Sequence, residues 1–467
     1  MDCNILDTAF GKGKKLVVLG GGESGAGAAL LGKKLGYEVF LSDRGILNDK
    51  YKRILTDEKI AFEEGGHSPD KIYAADLAVK SPGIPEDAEP VVNLRKKGIE
   101  VISEIEFAGR HSRAKMCCIT GSNGKTTTTL LTHYILTRAG VDAGLAGNVG
   151  KSLAAQVAEN AHSVYVVELS SFQLDDMFDF RADVAVLTNI TPDHLDRYEH
   201  KYENYINAKF RILQNMTAEN LFIYGWDSPD VTAKIKTLDV VPQTAPFTYS
   251  ADKNCAARMD GNMLEVRLDG RIFRIDADEI SIKGRHNVYN AMCAVLICLR
   301  LGLSNEQIAD GLRTFPQVEH RLEKFLTCGG VSYINDSKAT NVDSAWYALD
   351  SMKTPVVWIA GGKDKGNDYS ALYDLVGRKV KALVCMGVDN QKLIDNFKSM
   401  CKIADTHSLE EAVRAARAFA EPGDTVLLSP CCASFDLFKS YEHRGEMFKQ
   451  EVRKQCLGEN TENQAAI

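Results

Sequence analysis

Two segments join a short apolar strand to a glycine-rich loop and then to a helix, and they constrain the fold more than any other feature. The first is Lys15–Leu19, followed by Gly20-Gly21-Gly22-Glu23-Ser24-Gly25. The second is Met116–Thr120, followed by Gly121-Ser122-Asn123-Gly124-Lys125. Continuous apolar strands are typical of parallel sheets that helices cover on both faces. The pattern therefore predicts an α/β chain with at least two such sheets.

A third alternation of strands and helices follows residue 316. The apolar runs Val331–Asn335, Val356–Ala360, Ala382–Met386 and Thr425–Leu428 predict strands, and Leu409–Phe419 predicts a helix. A chain of 467 residues fits about three domains at roughly 150 residues each. We expect domains over residues 1–108, 109–315 and 316–467, the outer two Rossmann-like and the central one like a P-loop ATPase.

Other elements follow from periodicity and turn residues. Strands are predicted at Tyr37–Asp43, Leu77–Lys80, Ser163–Glu168 and Val184–Leu187, and residues 221–283 are expected to be rich in strands. Helices are predicted at Ala26–Leu35, Thr126–Arg138, Tyr202–Asn215 and Asn287–Arg300. The polar tail from Gln455 is expected to fray.

Composition excludes several classes of protein. Hydrophobic residues make up 45% and charged residues 25% of the chain, which is ordinary for globular proteins. The net charge of −7 argues against a general nucleic-acid binder. No run of 18 apolar residues predicts a membrane span, and the N-terminus lacks the apolar core of a signal peptide. The twelve cysteines form no CxxC pair, so we expect reduced thiols and a cytoplasmic location.

The loop at Gly121–Lys125 has the setting that a phosphate site requires, because it follows a strand and opens a helix. Its backbone N–H groups and the helix N-terminus favour phosphate oxygens. Lys125 can reach the β- and γ-phosphates of a nucleotide, and the Thr126 hydroxyl can ligate Mg²⁺. The spacing departs from G-x-x-x-x-G-K-[ST], since Ile119 stands where the first glycine is expected.

The loop at Gly20–Gly25, with Asp43 about 20 residues further on, matches a dinucleotide fingerprint. By itself this pattern is weak. It fits binding of NAD, binding of another nucleotide, or close packing of a helix on a strand. A chain with both loops is consistent with two nucleotides, one as cosubstrate and one as a handle on the substrate.

Polar residues also follow two later strands. Glu168 ends one of them, and a carboxylate at the carboxyl end of a parallel strand points towards ligands. Asp193-His194 follows the next, where His194 fits a Mg²⁺ ligand or a donor to developing charge; alternatively, Asp193 and Asp196 cap a helix and His194 lies on the surface. Lys209 lies among apolar residues at helical spacing, which by itself indicates an ordinary snorkelling lysine.

Taken together, these segments resemble the Mur ligase family, the ATP-dependent amide-forming enzymes of peptidoglycan assembly. The resemblance runs through the whole chain and rests on Thr-Gly-Ser-Asn-Gly-Lys-Thr-Thr at 120–127, Gly-Asn-Val-Gly at 147–150, Glu-Leu-Ser-Ser-Phe-Gln-Leu at 168–174, Asp-His-Leu-Asp-Arg-Tyr at 193–198, and His320-Arg321. Asn-Asp-Ser-Lys-Ala-Thr-Asn at 335–341 and Ala-Ser-Phe-Asp at 433–436 favour the D-glutamate-adding members. The Asp-Asn-Pro-Arg signature of the diaminopimelate- or lysine-adding members is missing.

The resemblance implies an activity: ligation of D-glutamate to UDP-N-acetylmuramoyl-L-alanine through an acyl phosphate and a tetrahedral intermediate, with ATP and Mg²⁺, by a cytoplasmic enzyme that is expected to be a monomer. It implies catalytic roles for Lys125, Glu168, His194 and Lys209. It implies ATP contacts at Gly121, Ser122, Asn123, Gly124, Lys125, Thr126, Thr127, Asn287, Asn290, Arg321 and Asp336.

The remaining implied roles concern the substrates and the metal. The UDP-substrate would contact Ser24, Asp43, Arg44, Gly83 and Asn148. D-Glutamate would contact Lys338, Thr340, Lys365, Ser434, Phe435 and Tyr441. Mg²⁺ would be held by Thr126, Glu168, His194 and Lys209, the lysine as a carbamate.

Three positions depart from the family pattern. Tyr441 stands where a phenylalanine is also expected, Lys363 competes with Lys365 for the glutamate carboxylate, and Glu23 places an acid near a diphosphate. Two other readings stay open. One is a ligase like folylpolyglutamate synthase, which shares the ATP core and also adds glutamate; the other is a P-loop regulatory module with a Rossmann-like sensor domain.

Overall fold

The computed structural model describes residues 6–458 and contains three sheets. The first sheet is entirely parallel, in the order β3-β2-β1-β4-β5. Its elements are β1 Lys15–Leu19, α1 Glu23–Lys34, β2 Glu38–Ser42, α2 Asp49–Asp57, β3 Ala61–Glu63, α3 Pro69–Ile72, β4 Leu77–Lys80, α4 Glu89–Lys96, β5 Glu100–Ser103 and α5 Glu104–Arg110.

The second sheet has nine strands in the order β14-β13-β12-β11-β10-β9-β6-β8-β7, antiparallel only within β12–β14. Its first elements are β6 Lys115–Thr120, α6 Lys125–Arg138, β7 Ala143–Gly147, α7 Leu153–Glu159, β8 Val164–Glu168, α8 Ser171–Asp175, β9 Val184–Leu187 and α9 Tyr202–Phe210. The others are β10 Leu221–Gly225, α10 Pro229–Ile235, β11 Gln243–Phe247, β12 Ala257–Asp260, β13 Met263–Leu268, β14 Arg271–Asp276, α11 Arg285–Arg300 and α12 Asn305–Thr314.

The third sheet has the order β15-β16-β20-β17-β18-β19, and only β15 runs antiparallel to its neighbour. Its elements are β15 Glu323–Cys328, β16 Val331–Asn335, α13 Val342–Ser351, β17 Val356–Gly361, α14 Tyr373–Lys379, β18 Val380–Met386, α15 Gln391–Phe397, β19 Lys402–Thr406, α16 Leu409–Phe419, β20 Thr425–Cys431 and α17 Tyr441–Leu457. Short 3₁₀ turns lie at Leu195–Arg197, Arg211–Leu213, Ala277–Glu279 and Ser370–Leu372.

The chain therefore has a three-domain α/β architecture with one sheet in each domain. The first two sheets belong to one compact unit, which runs to Ile280 and continues over Asn287–Phe315. The second unit contains Ser281–His286 and the chain from Pro316. The predicted domain limits at 108/109 and 315/316 stay predictions. No helix within residues 6–458 is long and apolar enough to cross a bilayer.

All the predicted strands are present, but several helix limits differ; helix α11, for example, begins at Arg285 rather than Asn287. Helix α1 begins at Glu23 rather than Ala26, since Gly22 provides its N-cap. Helix α9 ends at Phe210 rather than Asn215, which adopts a left-handed φ of 60° and donates to the Phe178 and Phe180 carbonyls. The helix before the tail continues to Leu457, where Gln455 donates to the Glu410 carbonyl; residues 459–467 lie outside the described range.

Candidate active site

The phosphate loop connects β6 to α6, and its glycines are structurally required. Gly121 and Gly124 have φ values of 142° and 85°, which L side chains rarely adopt. A Cβ at Gly121 would lie 2.0 Å from Thr188 Oγ1, and one at Gly124 would lie 2.5 Å from Asn290 Oδ1. The backbone of this loop therefore curves in a way that only glycine permits.

The residues after β9 anchor that loop. Thr188 Oγ1 donates to the Asn123 carbonyl at 2.6 Å, and Asn123 N donates to Asn189 Oδ1 at 2.9 Å. Ser122 Oγ donates to the Thr191 carbonyl at 2.9 Å. Strand β6 lies between β9 and β8, so the loop and the polar segment after β9 meet at one sheet edge. Asn189 opens the polar segment that follows β9, but sequence reasoning gave it no role of its own.

Lys125 folds over its own loop. Its Nζ donates to the Gly121 carbonyl at 2.7 Å and to the Ser122 carbonyl at 2.8 Å. An ammonium in this place lies where phosphate oxygens would be cradled by the loop. Thr126 and Thr127 are buried in the first turn of α6.

The predicted adenine contacts lie against the same helix. Asn290 accepts from Thr128 Oγ1 at 3.2 Å and donates to Asn287 Oδ1 at 3.0 Å. The structure therefore brings the two asparagines together and places Asn290 beside the phosphate loop.

Glu168 ends β8 and is 1% exposed. Its Oε1 accepts from Asn148 Nδ2 at 2.8 Å, whereas its Oε2 has no hydrogen-bond partner among residues 6–458. A buried carboxylate oxygen without a donor is costly unless it faces a cation. This open oxygen fits a hard divalent ion such as Mg²⁺, which prefers carboxylate ligands.

Lys209 is 2% exposed, so its interpretation as a snorkelling lysine is wrong. Its Nζ donates to Thr120 Oγ1 at 3.2 Å and lies 5.3 Å from the centre of the Tyr205 ring. Among residues 6–458, no carboxylate oxygen lies within 4.0 Å of Lys209 Nζ, the distance that defines an ion pair. The side chain points inward because the tertiary fold buries this face of helix α9, which the spacing of apolar residues in the sequence did not indicate.

The surroundings of Lys209 disfavour its charged form. Burial, and next the positive charge of Lys125, lower the pKa of Lys209 well below its usual value. Asp193, Glu168 and Asp175 oppose this shift. Lys209 Nζ contacts Thr120, the last residue before the phosphate loop, and Glu168 ends the neighbouring strand β8.

His194 lies on the loop before the 3₁₀ turn at 195–197 and has a left-handed φ of 53°. Its ring packs edge-on against Phe172 at 5.2 Å, and Nε2 lies 3.6 Å from Asp193 Oδ2. The side chain is 43% exposed. The partly exposed His194 agrees with the surface position of the alternative, whereas the helix that follows it is only the 3₁₀ turn at 195–197, and the next α-helix begins at Tyr202.

The first glycine loop combines close packing with a backbone cradle. A Cβ at Gly25 would lie 1.8 Å from the Gly20 carbonyl oxygen. The Asp43 carboxylate accepts from Gly21 N at 2.5 Å and Gly45 N at 2.7 Å, so it organises the loop. Ser24 is half-buried, and Arg44 and Gly83 are exposed.

Glu23, the acid in this loop, is engaged by other groups. It accepts from Lys50 Nζ at 3.1 Å, Tyr51 OH at 2.9 Å and Ser152 N at 3.4 Å. Burial opposes ionisation, but the bonds to Lys50 and Tyr51 outweigh it and lower the pKa of Glu23. Its charge is therefore partly compensated by helix α2.

In the second unit, Asp336 follows β16 and is buried. It accepts from Ser429 Oγ at 2.9 Å and from Leu322 N at 3.2 Å. Burial raises the pKa of Asp336 to about 7, against the effects of these bonds and of Arg321 and Arg444.

Three loops at the carboxyl edge of the third sheet carry the predicted amino-acid site. The Lys363 backbone N–H donates to the Ala433 carbonyl at 2.9 Å, which joins the loop after β17 to the loop after β20. Lys338 Nζ lies 5.0 Å from the centre of the Tyr441 ring. Thr340 is half-buried, Ser434 is buried, Lys363 and Lys365 are exposed, and Phe435 is 71% exposed.

Arg444 fixes two of these loops and was missed by sequence reasoning. Its guanidinium donates to Ser337 Oγ at 3.0 Å, to the Ser337 carbonyl at 2.8 Å and to the Cys432 carbonyl at 3.2 Å. Nothing local in the sequence distinguishes it from other arginines on helix faces.

Family models match three parts of the chain. The MurD N-terminal domain matches residues 15–90, the Mur ligase middle domain residues 119–298, and the glutamate ligase domain of Mur ligases residues 320–432. A UDP-N-acetylmuramoylalanine--D-glutamate ligase of Bacteroides fragilis is 52% identical, over 94% of this chain and 100% of that protein. The protein of the same name from Chloroherpeton thalassium is 39% identical, over 94% and 98%.

Solved structures share the fold. MurC, the UDP-N-acetylmuramate-alanine ligase of Thermotoga maritima, has a TM-score of 0.60 at 18% identity, covering 95% of this chain and 100% of that one. A folylpolyglutamate synthase of Mycobacterium tuberculosis has a TM-score of 0.57 at 14% identity, covering 72% and 91%. At these identities the likeness concerns the fold alone. The family models and the relatives at about half identity, by contrast, show that the chain belongs to the Mur ligase family.

Proposed function

We propose that this chain joins D-glutamate to UDP-N-acetylmuramoyl-L-alanine with consumption of ATP. The proposal is carried by one arrangement: a phosphate loop beside a buried carboxylate with an open oxygen and a buried lysine without a counter-ion among the described residues. The relatives of that name extend over nearly the whole chain. Such an enzyme is an ATP-dependent amide-forming ligase.

ATP would bind at the loop Gly121–Thr127, where backbone N–H groups and the start of α6 receive phosphate oxygens. Lys125 would leave the loop carbonyls that it now contacts and bond the transferred phosphoryl group. Asn287 and Asn290 would contact the adenine. Arg321 and Asp336, in the second unit, would also contact ATP.

The metal ligands would be Thr126, Glu168, His194 and Lys209. Bound Mg²⁺ supplies positive charge that offsets the charge of the phosphate oxygens. Lys209 would serve as a carbamate, formed when its neutral amine attacks CO₂ and releases one proton. The lowered pKa of Lys209 favours this step because it increases the fraction of unprotonated amine. The open Oε2 of Glu168 is the observation that fits a cation here.

The UDP-substrate would occupy the loops that carry Ser24, Asp43, Arg44 and Gly83, with Asn148 near its muramoyl-alanine end. Asn148 also donates to Glu168, so it links this end of the substrate to the metal ligand. D-Glutamate would bind among the three loops that Arg444 and the Lys363–Ala433 pair hold, through Lys338, Thr340, Lys365, Ser434, Phe435 and Tyr441.

The chemistry begins with the carboxylate of the alanyl end, which an amine cannot attack directly at neutral pH. The carboxylate takes the γ-phosphoryl group of ATP and becomes an acyl phosphate, with ADP as the leaving group. The amine of D-glutamate then attacks the acyl carbon. The tetrahedral intermediate loses phosphate and a proton and leaves the amide. Lys125 offsets negative charge on the phosphoryl group in the first step.

The folylpolyglutamate synthase alternative is weaker, although that fold is similar. The N-terminal sheet matches the MurD N-terminal domain. A nucleotide-linked substrate gives this domain a binding role, whereas the folylpolyglutamate synthase alternative gives it none. We also propose that the enzyme is cytoplasmic and monomeric. Sedimentation equilibrium would test its oligomeric state.

Phosphate release with varied substrates tests the proposal. Release should require ATP, UDP-N-acetylmuramoyl-L-alanine and D-glutamate together. L-Glutamate should be rejected, because donors fixed for two carboxylates lose charged bonds, each worth about 1.5–3 kcal/mol, when the stereocentre is inverted. Turnover of L-glutamate on a folate acceptor would instead favour the alternative. Lys125→Ala should abolish release with the fold intact.

A further inference from the structure

Four charged side chains form a closed ring where the first two sheets of the compact unit meet. Lys80 Nζ lies 2.7 Å from Glu86 Oε1 and 2.8 Å from Asp176 Oδ2. Arg95 lies 2.5 Å from Glu86 Oε2 and 2.9 Å from Asp176 Oδ1. Each carboxylate therefore gives one oxygen to each cation, and positive and negative charges alternate around the ring.

The ring is unevenly buried. The side chains of Lys80 and Asp176 are 1% and 2% exposed, whereas those of Glu86 and Arg95 are 45% and 40% exposed. Lys80 also donates to the Ile84 carbonyl at 3.0 Å. An ammonium has three N–H donors, and a buried one is stable only when they are used. Here two contacts go to the loop that follows β4, and the third goes to Asp176 beyond α8.

Contacts from two sides hold the loop 81–86 in place. Lys80 holds it from inside through Ile84 and Glu86, and Arg197 donates to the Gly83 carbonyl at 3.5 Å. Asp176 is itself fixed, because its carbonyl accepts from Ser103 N at 2.9 Å. The loop thus has a set position relative to the sheet that carries Glu168.

We propose that Lys80 is a positioning residue for the UDP-substrate. It holds the loop 81–86 in the conformation that receives the nucleotide, and it fixes the position of that loop relative to the central sheet. The inference rests on the proposed assignment of Gly83 to the UDP-substrate site. Lys80 itself touches no reacting atom.

Lys80→Met tests this role, with Lys52→Met as the matched control, since Lys52 forms a half-exposed ion pair with Glu64 on the same sheet domain. The KM for UDP-N-acetylmuramoyl-L-alanine should rise about tenfold in Lys80→Met, a loss of about 1.4 kcal/mol. The kcat and the KM for ATP should stay within about twofold of wild type. A purely structural role would lower the melting temperature and the active fraction without moving that KM.

Glu86→Gln keeps the buried Lys80–Asp176 pair and therefore tests the positioning role even if Lys80→Met fails to fold. It should raise the same KM by a smaller factor. Gly83→Val is the test of the underlying site and should raise that KM by itself. An effect of Gly83→Val with none from Lys80→Met or Glu86→Gln would overturn the positioning role and leave the site standing. An unchanged KM in all three variants would overturn both.

Discussion

At the scale of single residues, Lys209 shows how burial changes chemistry. A solvated lysine would be a cation at neutral pH, whereas here desolvation and the nearby Lys125 lower the pKa of its amine. A neutral amine can attack CO₂, and the product is an anionic carbamate with oxygen atoms able to ligate a metal ion. The proposed role of Lys209 as a metal ligand therefore requires this modification.

Lys209→Ala should therefore lose most of its activity, and acetate should restore part of it by supplying a carboxylate in the vacated space. Lys201→Ala, which removes an exposed lysine near the start of the same helix, should retain full rate. A carbamate signal in ¹³C NMR after incubation with ¹³CO₂ should be present in wild type and absent in Lys209→Ala. Full activity of Lys209→Ala in CO₂-depleted buffer would refute the carbamate.

Glu168 gives a second prediction at this scale. Glu168→Gln removes the charge but preserves the bond from Asn148, so the fold should persist. The Mg²⁺ concentration for half-maximal rate should increase, and kcat should fall on the order of 100-fold, because metal charge stabilisation is worth several kcal/mol. Titration of activity with MgCl₂ measures both effects. Glu199→Gln, which removes an exposed carboxylate paired with Lys201, should titrate like wild type.

At the scale of elements, helix α17 acts through one arginine. Arg444 is buried and bonds both the loop after β16 and the loop after β20, so the helix sets the distance between them. These loops carry Lys338, Ser434 and Phe435.

Arg444→Lys should raise the KM for D-glutamate, because a single ammonium cannot make the planar set of bonds to both loops. The KM for UDP-N-acetylmuramoyl-L-alanine should stay unchanged, since its proposed contacts lie in the first unit. Arg453→Lys, on the same helix, is the control. Equal KM values for D-glutamate in Arg444→Lys and wild type would remove Arg444 from the site.

At the scale of the whole molecule, helix α5 joins the first two sheets into one compact unit through two buried carboxylates. Glu106 accepts the N–H groups of Phe178, Asp179 and Phe180. Glu104 accepts from Ser152 Oγ and Ala154 N, both at 2.6 Å, at the start of α7. Their bonds explain why the N-terminal sheet packs with the central one in the same unit.

Burial raises the pKa of Glu104 to about 7, from an ordinary value of 4.5. Between these two pKa values the folded protein holds a proton that the unfolded chain has released, so stability falls as pH rises through this range. From pH 5 to pH 8, the free energy of unfolding of wild type should fall relative to Glu104→Gln, by up to about 3 kcal/mol. Urea denaturation across this range measures the difference. The curve of Glu89→Gln, at an exposed site, should run parallel to that of wild type.

The sequence by itself determined the order of the strands along the chain, the two glycine loops, the α/β class and the family. These features are local: apolar runs, glycine positions and residues at strand ends act within windows of a few residues. Strand and helix limits in the interior accordingly agreed to within a few residues, and five short strands at 61–63, 100–103, 143–147, 323–328 and 402–406 were missed. These lie towards the edges of their sheets, where burial is partial or the residues are small.

Only the tertiary structure decided what surrounds each buried polar group. The spacing around Lys209 indicated a snorkelling lysine, whereas the fold buries it on α9 and brings its amine to Thr120 at the end of β6. The same holds for the Asn148 bond to Glu168, for Arg444, and for the ring around Lys80. Each depends on which strands become neighbours, and the order β9-β6-β8-β7 follows from packing over the whole sheet. A polar residue's chemistry is set by solvent exclusion and by partners distant in sequence, which no local pattern contains.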